Sequence, residues 1–241
     1  MPPSLLLGEV VKPPFRGEFR YGLELARLAS DAEFLRPRRQ ANAPPVLLVP
    51  GFMAGDQSLA ALRGWLRRRG SDTAAAGIRL NVDCAERAVR RLETRLCQLV
   101  ARTDRRVVVL GQSRGGELGR VLAVRHPGRV STLVMLGSPV LDPLSVGRVV
   151  LTAVRSVARL GDMGVPGTFS SQCADGACCA AFRDDLRAVL PPSVRAVSDG
   201  IVAWQACLDP SAEHLEVDSS HSGMSVNRSV YGLLAEILEE G

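Results

Sequence analysis

Gly111-Gln112-Ser113-Arg114-Gly115 sets a serine between two glycines, just after the apolar run Val107 to Leu110 and just before a helical pattern from Arg114 to Arg125. A serine leaving a buried strand, with no side chain on the flanking glycines, can stand on a tight turn with its hydroxyl clear of the sheet. The helix that follows aims its N-terminus, and the N–H of Arg114, at any negative charge developing there. The chemistry this suits is nucleophilic attack with oxyanion stabilisation; the structural alternative is a Gly-rich turn whose serine only caps a helix. A serine hydroxyl needs a base, and the chain has 3 histidines. His126 ends the helix that begins at the serine, roughly 18 Å away at about 1.5 Å per residue. His214 begins or precedes the last strand, at the end of the sheet opposite the serine. His221 lies in Ser219-Ser220-His221-Ser222-Gly223, on a loop after that strand, where the catalytic groups of open α/β sheets gather. His221 is the candidate base, with an ordinary surface-loop histidine as the alternative.

A base of this kind is oriented by an acid. Asp199 sits where the strand Val194 to Ser198 ends, ahead of Gly200, and gives the chain order Ser, Asp, His. Asp142, Asp209 and Asp218 remain competitors. A second oxyanion donor is expected from the turn Pro50-Gly51-Phe52-Met53-Ala54-Gly55-Asp56, with the N–H of Phe52 first and that of Met53 second.

Composition narrows the field. Of 30 basic residues only Lys12 is a lysine, so 29 are arginines. Schiff-base chemistry, the phosphate-loop lysine and the Ser-x-x-Lys pair are thereby nearly excluded. Net charge is +5, but the arginines are dispersed and only 4% of residues are aromatic, so a mildly basic surface is expected and no nucleic-acid partner. Cys84, Cys97, Cys173, Cys178, Cys179 and Cys207 form no pair of C-x-x-C motifs. No metal site and no cofactor are expected. A disulfide from the 173–179 cluster to Cys207 stays open. The start MPPSLLLGEVVKPPF lacks the features of a signal peptide, and no apolar run approaches a membrane span, so a cytoplasmic protein with reduced thiols is expected.

The elements that must position these residues follow from periodicity. Residues 1–44 read as an N-terminal arm with an amphipathic helix from Glu18 to Leu28, and 45–241 as the main domain. Strands are expected at 46–49, 107–110, 130–136, 194–198 and 215–217, with a less definite extended stretch at 74–82. Helices are expected at 57–69, 85–102, 114–125 and 227–239. Short, wholly apolar strands alternating with helices predict an α/β fold with a mostly parallel sheet covered on both faces. The alternation breaks over about 142–192, read as a small cap insertion. Within it, 144–160 has apolar residues at helical spacing with Arg148, Arg155 and Arg159 roughly opposite, which suits a lid facing an acyl group or simply a packed cap helix.

With these pieces in place, the chain resembles the α/β-hydrolase superfamily in its lipase and esterase branch, most of all small bacterial hydrolases with the serine motif GQSRGG. The resemblance rests on PVLLVPGF (45–52), VVVLGQSRGG (107–116), LVMLGSP (133–139), SDGIV (198–202) and SSHSGM (219–224). It implies a Ser113–His221–Asp199 triad, backbone oxyanion donors at Phe52 and Arg114, a cap at the 142–192 insertion, and cleavage of small-molecule carboxylic esters through an acyl-enzyme. Alternatives that keep the same fold are an acyltransferase or chain-releasing thioesterase working on a carrier protein, a lipase acting at a lipid surface, and a non-catalytic binding protein. One departure is the strand before Asp199, which Pro191-Pro192 leaves short and which puts the placement of that carboxylate in question. The sequence leaves the oligomeric state open.

Overall fold

The computed structural model describes residues 20–140, 148–174, 179–188, 194–198, 207 and 212–240. The helices are α1 (Tyr21–Ala29), α2 (Ala32–Leu35), α3 (Ala60–Arg69), α4 (Ala85–Thr103), α5 (Arg114–Arg125), α6 (Arg148–Asp162), α7 (Ser171–Ala174), α8 (Ala180–Arg187) and α9 (Arg228–Glu240). The strands are β1 (Val46–Val49), β2 (Thr73–Ala75), β3 (Val107–Gln112), β4 (Val130–Leu136), β5 (Val194–Ser198) and β6 (Glu213–Glu216). Short 3-10 turns at Asp56–Leu59 and Ser222–Val226 lead into α3 and α9.

The six strands form one sheet in the order β2-β1-β3-β4-β5-β6, and every neighbouring pair is parallel. Side chains of a strand alternate between faces, so each apolar run feeds two cores. Leu47, Val49, Val107, Val109, Leu133, Met135 and Ala196 pack with α4, α5 and α8 on one face. Val46, Leu48, Val108, Leu110, Val134, Leu136 and Val197 pack with α1, α3 and α9 on the other. Both cores account for the unbroken apolar runs, because a strand covered on two sides has no face to leave polar.

Most of the expected elements lie within a residue or two of their predicted bounds, and β4, β5 and α5 coincide with them. The differences are local. Of the stretch 74–82 only Ala74 and Ala75 are in a strand, β2, and from Gly77 it becomes a loop held in part by Asp56 accepting from the Gly77 and Ile78 N–H groups. The expected helix at 57–69 opens as a 3-10 turn. The last strand ends at Glu216, before Val217, and includes His214. The strand before Asp199 is not truncated: Val194 to Val197 pair with β4 on one side and Arg195 to Ser198 with β6 on the other. The first described helix runs Tyr21–Ala29, and the expected start at Glu18 lies outside the described residues.

Chain order and sheet order diverge at β1. The chain passes from β1 through α3 to β2 on one side, then returns through α4 to β3 on the other. The carboxyl ends of β1 and β3 therefore meet at a topological switch point, where open α/β sheets form their ligand crevice. The Gly51-Phe52 turn and Ser113 both leave the sheet there.

Candidate active site

Ser113 ends β3 and precedes α5 with φ 51° and ψ −126°. Left-handed φ in a non-glycine residue costs about 1–3 kcal/mol and persists only where the surroundings enforce it. They do so here by close packing of glycines. A side chain at Gly111 would run into the backbone of Gly115 and Gly116, one at Gly115 into the carbonyl of Val49, and one at Gly116 into the Ser138 hydroxyl. The Ser113 N–H donates to the Leu136 carbonyl at 2.8 Å, and the Gly116 N–H to the Ser113 carbonyl at 2.8 Å, which pins the turn from both sides.

Gly51, after β1, lies against this turn: a Cβ on it would stand 3.3 Å from both Ser113 Cβ and the Gln112 carbonyl. Phe52 thus follows a backbone segment in contact with the serine. In the same turn the Met53 N–H is taken by the Asn81 carbonyl at 3.3 Å, and the Ala54 N–H by the Gly51 carbonyl at 3.2 Å. Of the two donor candidates of the sequence, Met53 thus has its N–H engaged by Asn81. On the other side Arg114 is the first residue of α5, so its N–H has no intrahelical acceptor.

Two side chains hold the turn after β1 and the start of α5 together. Buried Asn81 donates from Nδ2 to the Pro50 carbonyl at 2.7 Å. The Arg114 guanidinium donates to the Asn81 carbonyl at 3.0 Å, to Asn81 Oδ1 at 2.8 Å and to the Asp83 carbonyl at 2.5 Å, and lies over the Phe169 ring. The Arg114 side chain therefore ties the start of α5 to residues 81–83.

His221 follows β6 and introduces the Ser222–Val226 turn. The Gln112 side-chain amide donates to its carbonyl at 3.0 Å, tying the histidine loop to the residue before the serine. Behind the loop stands Glu24 of α1, 3% exposed. Its carboxylate accepts from the Ser220 N–H at 2.8 Å, the Ser220 hydroxyl at 2.6 Å and Asn227 Nδ2 at 3.4 Å. A side chain at Gly223 would enter the space this carboxylate fills. The N-terminal arm thus reaches the histidine loop directly.

The other titratable candidates separate cleanly. His126 ends α5, with Nε2 3.4 Å from Glu93 Oε1. His214 is exposed on β6, opposite Ala196. Asp218 forms a solvent-facing ion pair with Arg20 at 2.7 Å, and that guanidinium holds its carboxyl below the usual range. Asp199 follows β5 in the chain; it, Asp142 and Asp209 lie outside the described residues.

Beneath the serine, Glu117 is buried one helical turn along α5. Burial pushes its carboxyl up to about 7, with Arg114 pulling the other way. The same burial lowers the Arg114 guanidinium from its ordinary value. Above the switch point, Phe52 and Val82 meet the cap through Val154, Val157, Ala158 and Phe169, with the Phe52 and Phe169 rings 6.1 Å apart. Val149, Leu160, Met163 and Val165 of α6 and its following turn remain exposed. No described helix is long and apolar enough to cross a membrane.

No protein-family profile and no curated protein sequence matches the chain. Solved structures do. The mature form of the Bacillus licheniformis lipase BlEst2 superposes with a TM-score of 0.60 at 17% identity, over 83% of this chain and 94% of that one. The α/β hydrolase MGS-MChE2, from a metagenome of lagoon sediments of Mar Chica in Morocco, gives 0.55 at 17% identity over 84% and 93%. A structure from a study of carboxylesterases of the ammonia-oxidising thaumarchaeon Nitrososphaera gargenis gives 0.54 at 14% identity over 85% and 94%. At such identities the likeness speaks for the fold, and it agrees with the parallel sheet, the strand order and the serine turn described above: the chain has the α/β-hydrolase fold.

Proposed function

We propose that the protein is a serine hydrolase cleaving carboxylic esters, with Ser113 as nucleophile, His221 as general base and acid, and Asp199 as the orienting carboxylate. The observation that carries this reading is the left-handed φ of 51° at Ser113, enforced by glycine packing at the switch point of the sheet. Such strain has a use if the hydroxyl must stand clear of the backbone. The lipase and carboxylesterase structures that share the fold support the same reading.

His221 takes the proton of the Ser113 hydroxyl as its oxygen bonds to the ester carbonyl carbon. The N–H groups of Phe52 and Arg114 hold the resulting oxyanion. His221 then passes the proton to the leaving alcohol as the C–O bond breaks. Water, deprotonated by His221, releases the acid and restores the serine. Phe52 packs with Val154, Val157 and Ala158 of α6, and this apolar surround favours an apolar acyl group. The test is hydrolysis of p-nitrophenyl esters of increasing chain length by the wild type and by Ser113→Ala, His221→Ala and Asp199→Ala. Each variant should lose about 10⁴-fold or more in kcat. Wild-type activity that survives Ser113→Ala would refute the assignment.

A further inference from the structure

Three thiols meet at one point on the cap side of the sheet. Cys84 is the N-cap of α4, Cys173 lies in α7, and Cys179 precedes α8. Cys179 Sγ stands 3.5 Å from Cys84 Sγ and 3.7 Å from Cys173 Sγ, and all three sulphurs lie within 4.8 Å of one another. Cys179 is buried and the other two are half-buried. From the site already described the cluster is separated by Asp83, whose carbonyl accepts from Arg114.

We infer that Cys84, Cys173 and Cys179 form a thiolate site for a zinc ion, which clamps the cap onto the N-terminus of α4. Zinc–thiolate bonds of about 2.3 Å in tetrahedral geometry place sulphurs about 3.8 Å apart, close to the 3.5 and 3.7 Å from Cys179 to its two neighbours, with the third pair within 4.8 Å. A disulfide would draw two of them to about 2 Å and leave the third, so it does not account for a three-way convergence. Soft thiolates select zinc over harder divalent ions. The charge is also provided for. Three thiolates and Zn²⁺ sum to one negative charge, and the guanidinium groups of Arg87 and Arg114 both feel Cys84 and Cys173 electrostatically. Cys84 itself occupies a helix N-terminus, where a thiolate is favoured.

Binding exchanges no electrons. Each sulphur gives up its proton to solvent as its bond to zinc forms, and a ligand beyond these three completes the tetrahedron. The site departs from the sequence expectation of no metal, because its ligands come from segments far apart in the chain and share no short motif. It is independent of the catalytic assignment of Ser113.

The test uses the full chain, purified without oxygen, stripped with a chelator and titrated with Zn²⁺ alone. One zinc per chain is expected, with proton release. Bound zinc should protect Cys84, Cys173 and Cys179 from alkylation while exposed Cys97 reacts, and Co²⁺ in its place should give thiolate charge-transfer absorption. Cys84→Ser and Cys179→Ser should each weaken binding by more than about 100-fold, since losing an outer-shell partner alone costs 10–100-fold, and Cys97→Ser should leave it unchanged. The alkylation pattern of the wild type decides even if a variant folds poorly. Failure to bind zinc with all three thiols reduced would overturn the proposal, as would protection that does not distinguish these three from Cys97, or a disulfide among them in the anaerobic protein.

Discussion

The side-chain amide of Gln112 donates to the backbone carbonyl of His221 at 3.0 Å. The residue before the candidate nucleophile thus holds the main chain of the candidate base. The two segments lie 109 positions apart in sequence, and this bond fixes their relative placement at the switch point. Gln112→Ala removes the donor and frees the loop. The expected cost is about 0.5–1.5 kcal/mol of stability, the usual net worth of one hydrogen bond, with a fall in kcat larger than the change in KM. Parallel denaturant melts and steady-state kinetics check it.

Glu24 makes the N-terminal helix part of the same arrangement. Its three hydrogen bonds to Ser220 and Asn227 are charge-assisted and buried, so Glu24→Ala should cost about 2–3 kcal/mol or more. Activity should fall with stability because His221 follows Ser220 directly. Glu24→Gln keeps the shape: its Oε1 still accepts from the Ser220 N–H and Asn227 while its amide N–H donates to the Ser220 hydroxyl, which can turn to accept, so it should recover much of the loss. Thermal melts of both variants measure this; a Tm for Glu24→Gln well above that of Glu24→Ala is the expected sign.

Burial raises the Glu117 carboxyl to about 7 from the ordinary 4.5. The unfolded chain ionises this group first as pH rises, while the native state keeps the proton up to about 7. Between those values the unfolded state binds fewer protons, so stability falls with rising pH, by about 3 kcal/mol across the window. Glu117→Gln has no proton to lose. It should match the wild type near pH 4.5 and exceed it in stability at pH 8, as urea denaturation at both pH values will show.

Glycine packing at the serine turn makes a further prediction. Gly115→Ala places its Cβ against the carbonyls of Val49, the last residue of β1, and of Pro50 after it, backbone that cannot yield cheaply. The variant should be destabilised by about 2 kcal/mol or more and lose most activity. Gly128→Ala, where a Cβ meets nothing within 4 Å, is the matched control and should change neither.

The contrast between what periodicity shows and what it hides is physical. Val46 to Val49 and Val107 to Leu110 declare a two-sided core, and Ser113 between glycines declares the turn, because each signal is local. Residues 77–83 form no regular element: Asn81 and the Asp83 carbonyl are set by bonds to Pro50 and Arg114, which no local pattern records. Glu24 is likewise one acidic residue on an amphipathic helix until the fold brings Ser220 to it. The thiol cluster joins α4 to the cap across a long stretch of chain. Asp199 remains an assignment from sequence alone.

The most direct measurement is covalent labelling with a fluorophosphonate, read by intact mass and peptide mapping. The account predicts a single adduct on the Ser113 hydroxyl of the wild type. It predicts strongly slowed labelling in His221→Ala, whose serine keeps its place but loses its base, and none in Ser113→Ala. An unlabelled wild type, or an adduct on another residue, would contradict it.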